Sequence, residues 1–247
     1  LIEKPFTKKS EEALELINLA KEKNLICGVG HTFLYSGAVE KMKELVEKQE
    51  IGEVLHINSS RLNLGRFQNG TNVVWDLAPH DLSIILHILG EEMPIKVIAS
   101  GQSHYNLKVE DTANISLTFR NNVSAHLNLS WINPDKVRTF TVIGTKKMIM
   151  FDDVEVNEKI KIYDQGVAAE YTNYGEFFAA YRYGDISIPK IGGHEALGKE
   201  VAHFLECIKT GKKLLTDAES GYKIVKLINC IEEAMKSGKA VLIEETS

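Results

Sequence analysis

The chain has 247 residues, of which 44% are hydrophobic and 26% are charged, and its formal net charge is -5. This balance is typical of a globular protein, and the length suits one large domain or two small ones. The negative charge and the lack of a lysine- and arginine-rich run argue against nucleic acid as a partner. No apolar run approaches the ~20 residues of a membrane helix, and no signal peptide is recognisable. We therefore expect a cytoplasmic protein without membrane contact.

The three cysteines, Cys27, Cys207 and Cys230, each lie in an apolar segment. Their number is odd, and no Cys-x-x-Cys spacing suggests zinc or redox chemistry. We expect free, buried thiols in a reducing compartment.

The first 35 residues have the pattern of a parallel α/β layer. Leu1–Pro5 resembles a buried strand that runs into a turn, and such a strand needs sheet neighbours that the chain does not contain. The order strand, helix, strand, helix is typical of a doubly wound domain. We therefore expect residues 1–35 to be the end of a dinucleotide-binding domain, and the chain to be the back part of a longer protein. The elements expected here are a helix over Glu11–Glu22 capped by Thr7 or Ser10, a strand over Leu25–Val29, and a helix from Ser36 to about Gly52.

Residues 36–247 are expected to form a second, α/β domain. After Gly52 the pattern becomes strand-rich, and alternation of apolar and polar residues predicts an open, mostly antiparallel sheet with one face covered by helices. The fold class is therefore α/β of the α+β kind. Tyr171–Gly193 is interpreted as a loop with a possible short strand. The expected strands are Glu53–Leu62, Ile95–Gln102, Thr112–Phe119, Val123–Trp131, Val137–Ile143, Lys146–Phe151, Lys159–Tyr163 and Val241–Glu244, and the closing helices are His194–Lys209 and Asp217–Ser237, the latter capped by Thr216.

Trp75–Asp81 leads into an apolar helix that Gly90 ends. Asp76 and His80 are four residues apart, so in a helix they lie on the same side of the first turn. A carboxylate that orients an imidazole is a familiar general-base arrangement. Pro79 suits an early helical turn. The alternative is a helix N-cap beside a surface histidine, which is common for Asp-x-x-x-His.

Several other side chains are candidates for binding. Arg61 and Arg66 flank the loop before the helix and suit a phosphate or carboxylate of a substrate, unless they are merely solvated. Arg182 and Tyr183 lie in an irregular aromatic loop, where sugar-binding groups often occur. His31 follows a strand end and would line a cofactor pocket or cap its loop.

Metal binding is an alternative for the same helix, because His87 lies seven residues after His80. A zinc site with Asp76 would still need a ligand from elsewhere, so we expect no metal. His126, His194 and His203 are expected to be structural.

These segments together resemble the Gfo/Idh/MocA family of nicotinamide-dependent oxidoreductases. Glu3-Lys4-Pro5 after an apolar strand and Asp76-x-x-x-His80 match two family motifs, and the resemblance extends over essentially the whole chain. The further matching segments are Gly30-His31, Arg61–Arg66, Tyr181–Asp185, Glu195–Phe204 and Leu215–Gly221.

The resemblance implies an N-terminal Rossmann domain and a C-terminal α/β domain whose open sheet serves oligomer contacts, giving a homodimer or homotetramer. It implies NAD or NADP as the cofactor, held near Glu3, Lys4, Pro5 and His31. A substrate is then a sugar, an inositol or a nucleotide sugar, and the segments around Arg61 and Arg182 look most like members that act on nucleotide sugars.

The chain departs from the family pattern at the cofactor fingerprint. Gly28-Val29-Gly30 lacks the third glycine of Gly-x-Gly-x-x-Gly, and no helix is expected to open there. About one hundred residues of such a domain would precede the chain. We expect the chain alone to bind a dinucleotide poorly and to be inactive.

The resemblance assigns Lys4, Asp76 and His80 to catalysis, and the chemistry agrees. Oxidation of a secondary alcohol needs a proton acceptor, for which His80 is the candidate, and a cation beside the developing alkoxide, for which Lys4 is. Asp76 would bind substrate or orient the ring. Two rival interpretations are a non-catalytic sensor with the same fold and an inactive oligomerisation fragment.

Overall fold

The computed structural model describes residues 1–65, 67, 70–105, 108–171 and 177–243, with backbone alone for 168–171 and 177–179. Its helices are α1 (Ser10–Glu22), α2 (Gly37–Glu47), α3 (Val73–Ile88), α4 (Ala196–Thr210) and α5 (Ala218–Ser237), with 3₁₀ turns at Thr32–Tyr35 and Arg120–Asn122. Its strands are β1 (Val54–Leu64), β2 (Lys96–Gln102), β3 (Thr112–Thr118), β4 (Ser124–Ser130), β5 (Ile132–Gly144), β6 (Met148–Asp152), β7 (Ile160–Tyr163), β8 (Gly166–Tyr171), β9 (Phe177–Arg182), β10 (Ile186–Ser187) and β11 (Val241–Leu242).

Nine of these strands form one open sheet in the order β10-β7-β6-β5-β1-β4-β3-β2-β11. The β1–β4 pair is parallel and the other neighbouring pairs are antiparallel. Strands β8 and β9 form a separate two-stranded ribbon. The predicted open, mostly antiparallel sheet is confirmed.

One face of the sheet is covered by helices. In β1, Ile57, Ser59 and Arg61 are buried beneath α3, whereas Asn58 on the other face is exposed. Helix α3 is buried almost all round: twelve of its sixteen residues are buried, so its apolar surface is wider than the single stripe of a surface helix. The four that are less buried are Trp75, Asp76, His80 and His87.

The N-terminal segment packs on α5 through a small second core. Ile2 and Val29 form a parallel β-bridge, and Gly28 forms an antiparallel bridge with Asp217. The strand predicted over Leu25–Val29 is therefore limited, in the described structure, to isolated bridges. Assignment of residues 1–35 and 36–247 to two domains remains a prediction.

Two predicted helix caps were wrong in detail. Lys9, rather than Thr7 or Ser10, is the N-cap position of α1, and its backbone N–H donates to the Glu12 carboxylate. Asp217, not Thr216, caps α5 by accepting from the Ser220 N–H at 2.8 Å.

Helix α3 begins two residues earlier than Trp75, because the Asn72 side chain caps it. Pro79 is therefore its seventh residue, in the interior rather than in an early turn. Tyr171–Gly193, expected to be mostly loop, contains β9 and β10.

The cysteines are free thiols, as expected, and Cys207 is buried, whereas Cys27 and Cys230 are only half-buried. Within the described part of the chain, none of the helices combines the length and apolarity needed to cross a bilayer.

We predict that Asn72→Ala lowers the free energy of unfolding by about 1–2 kcal/mol, the upper end of a helix-cap loss. The side chain is buried, accepts from Trp75 N at 3.2 Å and donates to Glu110 at 2.9 Å. Urea denaturation measures the change. Asn114→Ala, at an exposed position of β3, is the matched control and should stay within about 0.5 kcal/mol. Equal losses in both variants would contradict the capping role.

Candidate functional site

The candidate site forms where the N-terminal segment meets the start of α3. Ile2 N–H donates to Gly28 O, and Gly30 N–H donates to Ile2 O, both at 2.8 Å. This parallel bridge sets Glu3 and Lys4 beside Gly30 and His31. A side chain at Gly30 would crowd the Glu3 carboxylate, since an added Cβ would lie 3.2 Å from Glu3 Oε2. Backbone hydrogen bonds therefore hold Ile2 next to Gly28 and Gly30, although these residues are far apart in the sequence.

Lys4 reaches α3 at Asp76. Its Nζ donates to the Asp76 carbonyl oxygen at 2.9 Å and lies 3.6 Å from Asp76 Oδ1. Pro79 lacks the N–H that would pair with the Trp75 carbonyl, four residues earlier, so hydrogen bonding is interrupted at this turn. The Lys4 ammonium is held one residue further along, at the Asp76 carbonyl oxygen.

The Asp76 carboxylate is held by two donors. Trp131 Nε1 donates to Asp76 Oδ2 at 3.0 Å, and Lys4 contacts the other oxygen. Among the described residues, no hydrogen bond joins Asp76 to His80. These contacts give no support to the alternative in which the carboxylate orients the imidazole, and the role of Asp76 stays a prediction.

The His80 ring instead packs against Phe33. Their centroids are 5.0 Å apart with an interplanar angle of 63°, an edge-to-face contact. Burial is the main cause that lowers the pKa of His80 to about 2, followed by the positive charges of Arg61 and Lys4. The imidazole is thus neutral at pH 7.

His31 is the most deeply buried histidine of the site, with 3% of its surface exposed. Within the part of the chain that the structure describes, neither ring nitrogen has a hydrogen-bond partner. Burial, followed by the charge of Lys4, lowers its pKa to about 4. A neutral imidazole with one donor and one acceptor unused is ready to bind a polar group.

Arg61 and Arg66 were both predicted to contact a substrate, and the structure describes only Arg61. The Arg61 guanidinium is buried and binds the Asp81 carboxylate, with Nη2–Oδ1 at 2.7 Å. Its expected role as a substrate contact remains a prediction, and its contacts favour a role inside the protein. Arg66 lies outside the described residues.

Arg182 and Tyr183 lie at a different surface pocket. Arg182 donates to the Asp164 carbonyl oxygen at 3.0 Å, and the Tyr183 ring is largely exposed. They line a cavity of about 290 Å³ with residues of β5, β6 and β7. A cavity of about 600 Å³ beside Lys4 and Asp76 shares none of its lining with that pocket.

The metal alternative gains no support from the geometry. Within the described residues, no cluster of three or more histidine, cysteine or acidic side chains is arranged to hold a metal ion. Burial lowers the pKa of His87, whose nearest charges are those of α2. His203 Nδ1 lies 3.1 Å from the Tyr35 hydroxyl and His194 Nε2 lies 3.0 Å from the Tyr35 carbonyl, which are structural contacts.

Two residues of the site had no usable signal in the sequence. Trp131 follows β4 and Phe33 lies in a 3₁₀ turn, and both look like ordinary core residues. Gly65 allows the Trp131 ring to approach, because an added Cβ there would come within 2.2 Å of the ring. Only the fold shows that these rings contact Asp76 and His80.

Comparison with known proteins finds relatives of this chain. A family model described as the GFO/IDH/MocA C-terminal domain matches residues 39–150. The predicted resemblance to the Gfo/Idh/MocA family is confirmed over these residues. The match begins within α2 and ends within β6, so it includes α3 and the centre of the sheet.

Individual family members align over most of the chain. UDP-N-acetylglucosamine 3-dehydrogenase of Acidithiobacillus ferrooxidans is 26% identical over 226 residues, which are 91% of this chain and 67% of that protein. Its solved structure superposes with a TM-score of 0.77 at 22% identity, covering 96% of this chain and 70% of that chain.

Two further proteins also match nearly the whole of this chain. The NADP(+) scyllo-inositol 2-dehydrogenase IolW of Bacillus subtilis is 22% identical over 99% of this chain and 72% of that protein. The structure of GenD2 from gentamicin A biosynthesis, in complex with NAD, superposes with a TM-score of 0.79 at 18% identity, covering 99% of this chain and 71% of that chain. At these identities the superpositions establish a common fold.

We predict that His31 makes stability fall with acid. The folded-state pKa of about 4 lies below the unfolded value of about 6.5, so the unfolded chain binds more protons between these pH values. Stability is unaffected above this window and falls as pH drops through it, by about 2 kcal/mol at pH 5.

Urea denaturation at pH 7 and pH 5 tests this, with His31→Leu as the comparison. The difference in unfolding free energy between the two pH values should be smaller by about 2 kcal/mol in His31→Leu. At pH 7 the variant should fold at least as well, since it removes two unpaired nitrogens. An equal loss on acidification in both proteins would contradict the burial of a neutral His31.

Proposed function

We propose that the protein is an NAD(P)-dependent oxidoreductase that transfers a hydride between a nicotinamide cofactor and a secondary alcohol of a sugar, inositol or nucleotide sugar. The observation that carries the proposal is the contact of Lys4 with Asp76 on the helix that also presents His80. The family members named for sugar-nucleotide and inositol dehydrogenation support the same class of reaction. This arrangement places a cation, a carboxylate and a neutral imidazole around one turn of α3.

The proposed cofactor contacts are Glu3, Lys4, Pro5 and His31. The unpaired nitrogens of buried His31 fit a polar cofactor group, because a bound donor or acceptor would satisfy them. A bound nicotinamide would supply two-electron chemistry that protein side chains lack. Relatives named for NADP and bound to NAD leave both cofactors open.

His80 is the proposed proton acceptor in the direction of alcohol oxidation. It is neutral at pH 7, and therefore has a free nitrogen for a proton. Its low pKa makes it a weak base in the ligand-free protein, so acceptance requires a more acidic hydroxyl. Lys4 supplies this, because an ammonium group near the hydroxyl favours the developing alkoxide.

Asp76 is proposed to position Lys4 and to bind a substrate hydroxyl. About two-fifths of its side chain is exposed, so the carboxylate has room for a further donor. The hydrogen bond from Trp131 Nε1 fixes the direction of that carboxylate. Truncation of Asp76 or of Trp131 would therefore leave the Lys4 ammonium less well placed.

The finer assignments are proposals of the same kind. Arg66, Arg182 and Tyr183 are proposed substrate contacts, and the first 35 residues are proposed as the end of a dinucleotide-binding domain.

The sheet face opposite α3 is proposed to make a homodimer or homotetramer. Its cross-strand row Asn58, His126 and Ser116 is uncharged and can form hydrogen bonds. Free thiols support a cytoplasmic, reducing location.

We predict turnover by the full-length protein with at least one member of a panel of sugars, inositols and UDP-sugars, in the presence of NAD⁺ or NADP⁺. His80→Ala should lower kcat by about 10²–10⁴-fold, the usual contribution of a positioned base. Formation of reduced nicotinamide at 340 nm is the readout. The matched control is His104→Ala, a half-exposed histidine on the loop after β2, which should retain activity.

Tight cofactor binding with no turnover on the whole panel would favour the sensor instead. Undiminished turnover in His80→Ala would show that another group accepts the proton.

A further inference from the structure

Arg61 and Asp81 form an ion pair beneath the candidate site. Arg61 Nε lies 3.2 and 3.1 Å from the two Asp81 oxygens, and Nη2 lies 2.7 Å from Oδ1. Only 5% and 3% of the two side chains are exposed. Arg61 comes from β1 and Asp81 from α3, next in sequence to His80. The pair therefore joins the centre of the sheet to the helix turn that carries the proposed base.

The same guanidinium contacts Phe33. Arg61 Cζ lies 4.8 Å from the centroid of the Phe33 ring, within the range of a cation–π contact. The Phe33 ring in turn packs edge-to-face on His80. Phe33 thus contacts both the Arg61 guanidinium and the His80 imidazole.

The stability of the fold does not by itself explain why the Arg61–Asp81 ion pair is buried. Burial of two charges has a desolvation cost that their attraction often only offsets, and apolar pairs of similar volume frequently stabilise a protein as well. A planar, bidentate guanidinium does supply something that an apolar pair lacks, which is a fixed direction and a fixed positive charge.

We propose that Arg61 is a positioning residue for His80, acting through Phe33 and through its ion pair with Asp81. The ion pair fixes the guanidinium, the guanidinium fixes the Phe33 ring, and the ring limits the orientations of the imidazole. This inference rests on the proposed function, because it gives Arg61 a role in the same reaction.

The electrostatic part of the role has a defined direction. Besides burial, the charged or titratable groups that lower the pKa of His80 are Arg61, Lys4, His31 and Arg138, with Arg61 first among them. Arg61 thus opposes protonation of His80 before substrate arrives. The imidazole remains in the proton-accepting form across the physiological pH range.

Three variants separate the parts of this arrangement. Arg61→Met combined with Asp81→Leu removes both charges and leaves no unpaired ion. Phe33→Leu keeps the ion pair and removes the ring. Arg61→Lys keeps the charge and loses the bidentate fork. Glu200→Gln is the control: it changes another buried acid, whose Oε2 accepts from Thr32 at 2.7 Å and which is not among the charges that lower the pKa of His80.

The first readout is an NMR titration of the His80 ring in histidine-labelled full-length protein, which needs no turnover. We expect the pKa of His80 to rise in the Arg61→Met, Asp81→Leu protein, because Arg61 is the charge that lowers it most. Arg61→Lys should leave it closer to the wild-type value. Phe33→Leu should shift the ring-proton resonances of His80, because the aromatic ring beside it is gone.

The second readout is turnover. Loss of position should lower kcat by up to about 100-fold while KM changes by less than about twofold, and Arg61→Lys should restore part of the loss. Unchanged His80 titration and unchanged kcat in folded Arg61→Met, Asp81→Leu protein would overturn the inference. Lack of turnover in the wild-type protein would contradict the proposed function instead, and the NMR titration would still decide the role of Arg61.

Discussion

Burial of α3 is the constraint on which the site depends. Twelve of its residues are buried against the sheet and the neighbouring helices, so the helix has little freedom to rotate or slide. The side chains on its less buried edge are therefore fixed relative to β1 and to the N-terminal segment. Asp76 and His80 lie on this edge. A rigid element positions reactive groups more accurately than a loop does.

Near this edge each cation has an acidic partner, and the two imidazoles are neutral. Lys4 is partnered by Asp76 and Arg61 by Asp81, while His31 and His80 are surrounded by apolar groups and by these cations. Burial disfavours a charged imidazole, and nearby positive charge disfavours it further. The arrangement suits proton acceptance from an acidified hydroxyl. Perturbed histidines in a cleft are also a common mark of functional sites.

Periodicity was sufficient to predict most of the fold. Alternation along β1 to β7 gave the open sheet, and the apolar spacing of Leu82, Ile85 and Leu86 gave α3, since both patterns follow directly from which face is buried. Helix starts were less predictable, because capping depends on which side chain reaches a free N–H. Asn72 rather than a residue near Asp76 caps α3, and this moved Pro79 to the helix interior.

The candidate site was predictable only in its composition. Lys4, His31, Asp76 and His80 were all recognised in the sequence, and the fold brings them to one end of α3. Their partners were not predictable, because contacts such as Trp131 with Asp76 and Phe33 with His80 join segments far apart in the chain. The spacing of Asp76 and His80 suggested that the carboxylate could orient the imidazole. Spacing could not show that Trp131 and Lys4 contact this carboxylate.

The most direct test of the site as one catalytic unit is a double-mutant cycle between Lys4 and His80 in the full-length protein. Single variants Lys4→Met and His80→Gln, and the double variant, are compared by kcat on one substrate. If the ammonium acidifies the hydroxyl whose proton His80 accepts, loss of one group removes the benefit of the other. We predict a double variant about as slow as the slower single variant. Fully additive losses would show that the two residues act independently and would contradict a shared site.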